Sequence, residues 1–257
     1  MRTCLVGSEM CIRDSLISEV RLYRKKLKRW ARPKRAGNPF YFFPARSEIR
    51  RDAFGTTLIA SAWNYPLQLA LAPAVSAIGA GNTVILKPSE MAPATEALMA
   101  DIVANSFDAA HFTVVQGGPE VGQALLDQNF DAWFYTGSER IGRLYAEAAA
   151  SHLAPVTLEL GGKCPCIIDT EVNLATAVDR IIPGKFFNAG QTCMAPDYVL
   201  IPDSLHDRFI EEASKILHEL YPEYPSPDLA RIVNSTHFDR IRACLLYTSP
   251  SPRDKSS

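Results

Sequence analysis

Short apolar runs rich in β-branched residues alternate along the chain with longer segments whose apolar positions follow helical spacing. The first two runs lie at 56–63 and 83–87, and the small-residue segment 66–80 between them has the length of a helix. Together they predict a β-α-β unit. The alternation continues with predicted strands at 112–115, 131–135, 156–160, 166–170 and 198–201, and with predicted helices at 93–105, 120–128, 139–150, 174–188 and 205–220.

The fold class follows from this alternation. Strands that alternate with helices of this length predict an α/β protein with a mostly parallel, Rossmann-like sheet covered by helices on both faces. Ahead of the sheet, the basic amphipathic stretch 16–30 predicts a solvated helix face. Pro33, Gly37, Pro39 and Pro44 then predict a loop-rich link.

Composition argues against two classes of partner. Lys and Arg number 27 and Asp and Glu number 28, so the formal net charge is -1 and no strong field favours nucleic acid or an anionic membrane. No uncharged apolar run reaches the ~18 residues expected of a membrane-spanning helix, so the visible chain predicts no membrane partner. A small, near-neutral substrate fits this charge balance better.

The six cysteines follow no regular framework, which favours reduced thiols and a cytoplasmic location in a chain of this length. Cys164 and Cys166 lie in an apolar run with no histidine close in sequence. We therefore expect neither a zinc site nor a redox role for this pair, and no metal site elsewhere.

Two segments near the ends differ from the interior, CLVGSEMCIRD at 4–14 and CLLYTSPSPRD at 244–254. One back-translation of the second, reverse-complemented and read in another frame, gives LVGSEMCIRD. A single oligonucleotide read on both strands explains both segments. We therefore expect residues 1–15 and 244–257 to be tails derived from a sequencing adaptor, which carry no information about the fold.

Four segments, in this order, carry a resemblance to a known family: SAWNYP at 61–66, LKPSE at 86–90, LELGGK at 158–163 and NAGQTCMAPDYV at 188–199. They resemble the aldehyde dehydrogenases, and WNYP together with APDYV is similar to the class 3 members that act on coniferyl or fatty aldehydes. The match runs from about residue 42 to 241. Members of that family are considerably longer, which implies a missing upstream piece and a missing downstream half.

The resemblance implies a reaction and three catalytic residues. Cys193 is the candidate nucleophile, because a thiolate adds readily to an aldehyde carbon and the resulting thioester stays open to water. Glu159 ends an apolar run before two glycines, where we expect it to be buried and to act as the general base that activates water. Asn64 is expected to donate its amide N–H to the developing oxyanion, together with the backbone N–H of Cys193.

The cofactor implied by the resemblance is NAD or NADP. Lys87 and Glu90 follow a predicted strand, at the edge where open α/β sheets bind nucleotides, and are expected to hold the adenosine ribose. A helix expected after the strand at 131–135 would present its first backbone amides to the pyrophosphate. The complete expected cofactor set is Trp63, Lys87, Glu90, Gly137, Ser138, Glu139, Arg140, Ile141 and Gly142.

These expectations divide the chain into a cofactor-binding domain at 16–160 and the start of a catalytic domain at 161–243, both truncated. Aromatic aldehydes and medium or long aliphatic aldehydes are the expected substrates, and a homodimer is expected for the full-length parent. Three alternatives stay open: a dehydrogenase that passes the thioester to coenzyme A, a cysteine hydrolase without a cofactor, and an inactive truncated fragment. A water-activating Glu159 argues against the first two.

Overall fold

The computed structural model describes residues 4–223 and 225–248, and the chain forms two compact units that divide between Leu160 and Gly161. Residues 1–3 and 249–257 of the two expected tails lie outside the described residues. The described residues of both tails are helical. The first unit contains helices α1 (Cys4–Trp30), α2 (Pro66–Gly79), α3 (Pro93–Ser106), α4 (Pro119–Leu126) and α5 (Glu139–Ser151), and strands β1 (Lys34–Ala36), β2 (Ser47–Ile49), β3 (Thr56–Ala60), β4 (Thr83–Lys87), β5 (Phe112–Val114), β6 (Ala132–Gly137) and β7 (Val156–Leu160).

The main sheet of the first unit has five parallel strands in the order β5-β4-β3-β6-β7. Helices α2 and α3 pack on one face, around Ile59, Leu86 and Met99. Helices α4 and α5 pack on the other, where Leu58 and Trp133 are buried. The predicted parallel sheet with helices on both faces is therefore confirmed.

Local chemistry fixes where the helices of this unit begin. Pro66, Pro93 and Pro119 occupy the first turns of α2, α3 and α4, where a missing N–H removes no intrahelical hydrogen bond and the fixed φ suits a helix. The buried amide of Asn82 links the end of α2 to the residues that precede β3. Its Oδ1 accepts from the backbone N–H of Phe54 (2.7 Å), and its Nδ2 donates to a carbonyl oxygen near the end of α2 (3.1 Å).

A hairpin that the sequence did not predict precedes the sheet. Strands β1 and β2 pair antiparallel, within the segment predicted to be a loop-rich link. Both strands are short, polar and mostly exposed, so their sequence carries no alternation that would reveal them. The turn between them holds the largely exposed aromatic segment 40–43.

The second unit is smaller and contains strands β8 (Cys164–Ile167) and β9 (Pro196–Leu200) and helices α6 (Leu174–Phe186), α7 (Asp203–Leu220) and α8 (Ser235–Thr248). The two strands pair in parallel. Ile168, Val178 and Ile182 form the centre of a core between the strands, α6 and α7. Asn173 caps α6, because its side chain accepts a hydrogen bond from the backbone N–H of Thr176 (3.1 Å).

Several predicted boundaries needed correction. The strand predicted at 56–63 ends at Ala60, because residues 61–65 bend before α2. The strand predicted at 166–170 begins at Cys164 and ends at Ile167, and helix α8 was not predicted. Over the part of the chain that is described, each helix is too short or too polar to cross a bilayer.

Candidate active site

The carboxyl ends of β3 and β6 form the point at which the sheet order reverses. From β3 the chain proceeds outward to β4 and β5, and then returns to place β6 and β7 on the other side of β3. In open α/β sheets, ligands bind in the crevice outside the strand ends at such a reversal. Ala60 and Tyr135 pair at this end of the two strands. The residues that follow them therefore border the candidate crevice.

Two hydroxyl groups are buried at this edge without a hydrogen-bond partner among the described residues, Ser61 Oγ and Thr136 Oγ1. Ser61 follows β3, and Thr136 lies next to the last residue of β6. An unpaired buried hydroxyl costs about 1–3 kcal/mol. Thr57 Oγ1 and Trp133 Nε1 are also buried and unpaired, but they lie further from this edge. The pair at the edge suits a polar ligand group that would complete its hydrogen bonds.

The Lys87 side chain is buried at the end of β4 and forms an ion pair with Glu90. Its Nζ donates to Glu90 Oε2 (2.9 Å) and to the carbonyl oxygen of Pro88 (3.0 Å). Burial alone would raise the pKa of Glu90, but the hydrogen bond and charge of Lys87 outweigh it and hold that pKa below its ordinary value. Glu90 therefore presents a stable negative charge at this edge.

The segment from Gly137 to Gly142 joins β6 to α5 with little free space. A Cβ on Gly137 would lie 2.2 Å from the Tyr135 hydroxyl, and a Cβ on Gly142 would lie 2.8 Å from Leu160 Cδ2. A residue with a Cβ atom at either position would therefore displace a neighbouring side chain. Ser138 precedes α5, and Glu139, Arg140 and Ile141 form its first turn. The first amides of α5 lack intrahelical partners, which makes the turn suited to an anion.

The Tyr135 ring supports this turn from inside the sheet. It stacks on Tyr145 of α5 with ring centroids 4.6 Å apart, and its hydroxyl lies near Ser138. Burial raises the pKa of both tyrosines above the ordinary value, although the Ser138 contacts partly oppose this for Tyr135. Both phenols therefore remain neutral and serve to hold the start of α5 in place.

Trp63 and Asn64 lie half-buried in the bend between β3 and α2. The bend is tied to the neighbouring strand, because the backbone N–H of Ser61 donates to the carbonyl oxygen of Lys87 (3.1 Å). The structure thus brings the predicted residues Trp63, Asn64 and Lys87 to one edge of the sheet.

Glu159 lies at the same edge, but it is exposed, and the expectation that it would be buried is wrong. The residue pairs in register with Thr136. β7 is an outer strand of the sheet, and Val156, Leu158 and Leu160 pack on the α5 side while Thr157 and Glu159 face away from it. No described helix covers that side of β7, so the carboxylate reaches solvent.

Cys193 belongs to the second unit and is exposed in the loop between α6 and β9. Asn188 and Ala189 have φ of 50° and 54°, and Gly190 has φ of 75°. Left-handed backbone at non-glycine residues costs about 1–2 kcal/mol each and persists only where surrounding contacts impose it. The loop that presents Cys193 is therefore held in an unusual conformation.

The Gln191 side chain supplies part of that restraint. Its Nε2 donates to the carbonyl oxygens of Asn188 and Arg231, both at 3.0 Å. Its Oε1 accepts from the backbone N–H of Val233 (3.0 Å). One amide thus ties the Cys193 loop to residues about forty positions later in the chain. The sequence motif contains Gln191, but nothing in the sequence indicates this partner segment.

The start of β8 packs closely against the Cys193 loop. A Cβ on Gly162 would lie 2.9 Å from the carbonyl oxygen of Cys193 and 3.2 Å from Cys164 Sγ. Lys163 Nζ lies 3.0 Å from Asp197 Oδ2, which links the β8 end to β9. Sequence reasoning assigned no role to these contacts, and Ser61 and Thr136 were also missed because their burial depends on strand pairing.

The predicted residues therefore form two groups, one in each unit. Trp63, Asn64, Lys87, Glu159 and the segment from Gly137 to Gly142 lie at the carboxyl edge of the five-stranded sheet. Cys193 lies in the restrained loop of the second unit. Together these features define the class as a doubly wound α/β protein with a nucleotide-type sheet edge and an exposed thiol.

Comparisons with known proteins identify the family. The profile of the aldehyde dehydrogenase family matches residues 14–247, and the chain belongs to that family. It is 44% identical over 231 residues to 4,4'-diaponeurosporen-aldehyde dehydrogenase of Staphylococcus aureus, and the aligned region covers 89% of this chain and 50% of that protein. It is also 44% identical over 233 residues to aldehyde dehydrogenase family 3 member H1 of Arabidopsis thaliana, and the aligned region covers 90% of this chain and 48% of that protein.

Solved structures that resemble this chain belong to the same family. The substrate-bound state of Staphylococcus aureus AldH matches with a TM-score of 0.85 and 43% identity, over 90% of this chain and 51% of that one. The Mycobacterium tuberculosis aldehyde dehydrogenase complexed with NAD+ matches with a TM-score of 0.76 and 30% identity, over 83% of this chain and 44% of that one. The chain spans about half the length of the curated relatives it matches. The resemblance to family 3 members is confirmed.

Proposed function

We propose that the protein to which this chain belongs oxidises an aldehyde to the carboxylic acid with NAD or NADP. The observation that carries the proposal is the exposed thiol of Cys193 in a restrained loop, within the motif NAGQTC of an aldehyde dehydrogenase. Aromatic and medium or long aliphatic aldehydes are the proposed substrates. A relative named 4,4'-diaponeurosporen-aldehyde dehydrogenase supports an aldehyde substrate.

The Cys193 sulfur is the proposed nucleophile. It attacks the aldehyde carbon, and the carbonyl oxygen becomes an oxyanion in the thiohemiacetal. The Asn64 amide and the backbone N–H of Cys193 are proposed to donate to that oxyanion, an effect worth about 10²–10³ in rate per donor. The residues at the sheet edge would hold NAD(P)⁺, which would supply the hydride acceptor for that carbon.

Glu159 is the proposed general base for release of the acid. Its carboxylate would take a proton from water as the water oxygen attacks the thioester carbon, and the Cys193 thiolate then leaves. The exposure of Glu159 supports this role, because an exposed carboxylate on an outer strand is accessible to water. The products of this step are the acid, the Cys193 thiolate and a protonated Glu159.

The residues at the sheet edge fit a dinucleotide. Lys87 and Glu90 are proposed to hold the ribose, and the amides from Gly137 to Gly142 the pyrophosphate, with Trp63 beside them. The unpaired hydroxyls of Ser61 and Thr136 support a polar ligand there. Because the Glu90 carboxylate keeps its charge, it would repel a 2′-phosphate, which favours NAD over NADP.

The larger organisation follows from the same proposal. Residues 16–160 are proposed to be the cofactor-binding domain and residues 161–243 the start of the catalytic domain. We also propose a cytoplasmic homodimer. The thiols of Cys164, Cys166 and Cys193, which form no disulfide, support a reducing compartment.

The test follows NAD(P)H formation with benzaldehyde and with hexanal, in this chain and in the complete reading frame recovered from the source DNA. Cys193→Ala should lower turnover by at least about 10³-fold, because no other group replaces the nucleophile. Cys166→Ala is the matched control and should retain turnover. Turnover that survives Cys193→Ala contradicts the proposal.

A second measurement separates the alternatives. With Glu159→Gln, hydride transfer should continue once while the acyl group stays on Cys193, which the mass of the peptide 186–208 reports. Formation of acyl-coenzyme A on addition of coenzyme A would instead identify an acylating dehydrogenase. Aldehyde consumption without any NAD(P)H would exclude a dehydrogenase.

A further inference from the structure

Cys164 lies against the backbone of the candidate nucleophile. Its Sγ is 3.6 Å from the carbonyl oxygen of Cys193, within the range of a weak thiol hydrogen bond. Both thiols are free, Cys193 is exposed and Cys164 is half-buried. Two thiols separated by 28 intervening residues in sequence therefore meet at one place in the second unit.

The geometry places Cys164 within reach of the Cys193 side chain. A carbonyl oxygen lies about 2.4 Å from its own Cα, so the Cys164 sulfur lies within about 6 Å of Cys193 Cα. Cys164 pairs in register with Pro196, and a turn from Thr192 to Ala195 folds the intervening residues back toward β8. A disulfide needs Cα atoms about 4.4–6.8 Å apart, so its formation requires the Cys193 side chain to turn toward Cys164 and its loop to adjust.

Cys166 is less well placed, although it lies on the same strand and is equally half-buried. It pairs in register with Val199, further along β9 than the partner of Cys164. Two residues of extended chain place it about 6–7 Å beyond Cys164. The strand therefore contains one cysteine at the nucleophile loop and a second one that serves as an internal control.

The sequence alone indicated no redox role for Cys164, but from its contact with the Cys193 loop we propose that Cys164 is the resolving thiol of Cys193, and that hydrogen peroxide converts the pair into a reversible disulfide. The Cys193 thiolate attacks one peroxide oxygen, the O–O bond breaks, hydroxide leaves and Cys193 becomes a sulfenic acid. The Cys164 thiolate then attacks the Cys193 sulfur, the S–S bond forms, the S–O bond breaks and a second hydroxide leaves. The two hydroxides take up the two protons that the thiols released. Overall, two thiols and one hydrogen peroxide give one disulfide and two waters.

This reaction protects Cys193 from irreversible oxidation. A sulfenic acid that meets no thiol proceeds to the sulfinic acid, which ordinary thiols do not reduce. A disulfide returns to two thiols when an external dithiol attacks it. The inference depends on the reactivity of the Cys193 thiol and not on aldehyde oxidation, so either proposal can fail while the other stands.

The test treats the 257-residue chain with hydrogen peroxide, blocks the remaining thiols with an alkylating agent, and digests with trypsin. Cys193 falls in the peptide 186–208, and Cys164 and Cys166 share the peptide 164–180. A linked pair of these peptides that disappears with dithiothreitol is the expected product. Linkage must occur within one molecule, so a product found only in covalent dimers on a non-reducing gel overturns the proposal.

Two matched variants assign the resolving sulfur. Cys166→Ser should form the linked pair as wild type does. Cys164→Ser should not, and its Cys193 should accumulate as the sulfinic acid. Equal linkage in Cys164→Ser, or sulfinic acid without linkage in wild type, overturns the proposal. If Cys164→Ser fails to fold by circular dichroism, fragmentation of the wild-type linked peptide between Cys164 and Pro165 assigns the sulfur.

Discussion

The two units of the molecule use their strands in different ways. In the first unit, β3 is covered on both faces, and residues 57–60 are buried one after another. In the second unit, β8 and β9 are covered on one side, and Ile167 is 78% exposed on the other. The comparison indicates that the first unit derives its stability from a two-sided core, whereas the apolar sheet face of the second unit has no cover among the described residues.

The same difference extends to the candidate site. In the first unit, the site residues sit at the ends of strands whose positions are fixed by the sheet ladder. In the second unit, Cys193 sits in a loop whose left-handed residues are restrained by side-chain contacts such as those of Gln191. A site built on strand ends depends on the core, and a site built on a loop depends on a few hydrogen bonds.

The largest expected effect comes from a matched pair of core truncations. Leu58→Ala should lower the free energy of unfolding by about 4–5 kcal/mol, because the buried β3 is held on both faces and cannot collapse into the cavity. Leu174→Ala should cost about 2–3 kcal/mol, because Leu174 begins α6 at one end of a smaller core that can relax. Urea unfolding followed by circular dichroism measures both. Equal costs would remove the distinction between the two units.

A smaller effect is expected from the amide that holds the Cys193 loop. Gln191→Ala removes the acceptor of the Val233 N–H and should lower local stability by about 1–3 kcal/mol. Hydrogen exchange at the Val233 amide should therefore accelerate, by about tenfold for each 1.4 kcal/mol. Gln128→Ala, which removes an exposed bond within the first unit, is the control and should leave that amide unchanged. Unchanged exchange in Gln191→Ala would show that other contacts hold the loop.

The smallest effect is expected from the ion pair at the sheet edge. The pKa of Glu90 is lowered in the folded chain from an ordinary value of 4.5, so the unfolded chain binds this proton first as pH falls. The stabilisation is therefore complete above about pH 4.5 and is lost as pH decreases through the lowered folded value. Because the Glu90 side chain is 41% exposed, the contribution should stay below about 1 kcal/mol. Unfolding of wild type and Glu90→Gln across this range should converge at low pH, and a constant difference would contradict the assignment.

Buried parallel strands were the part of the fold most visible in the sequence. The strand at Thr83–Lys87 has its predicted limits, because a strand covered on both faces produces a continuous apolar run. The hairpin of β1 and β2 was missed for the opposite reason, since its exposed, charged residues produce no pattern. The start of β8 at Cys164 was missed because Pro165 interrupts the apolar run.

The candidate site could be predicted only where the chemistry is local in sequence. Lys87 and Glu90 are three residues apart, and their pairing follows from the position of Lys87 at a strand end. The exposure of Glu159 could not be predicted, because it depends on which strand forms the edge of the sheet. The contact of Cys164 with Cys193 joins positions far apart in the chain, and no periodicity reports such a distance.

Gly161 and Gly162, which follow β7, differ in how well each position can accommodate a larger residue. Every missense change at a glycine codon introduces a residue with a Cβ atom. At Gly161 an added Cβ meets no atom of the described residues within 4 Å, whereas at Gly162 it meets the Cys193 carbonyl oxygen at 2.9 Å. Missense variation in a population of these genes should therefore be rarer at codon 162 than at codon 161.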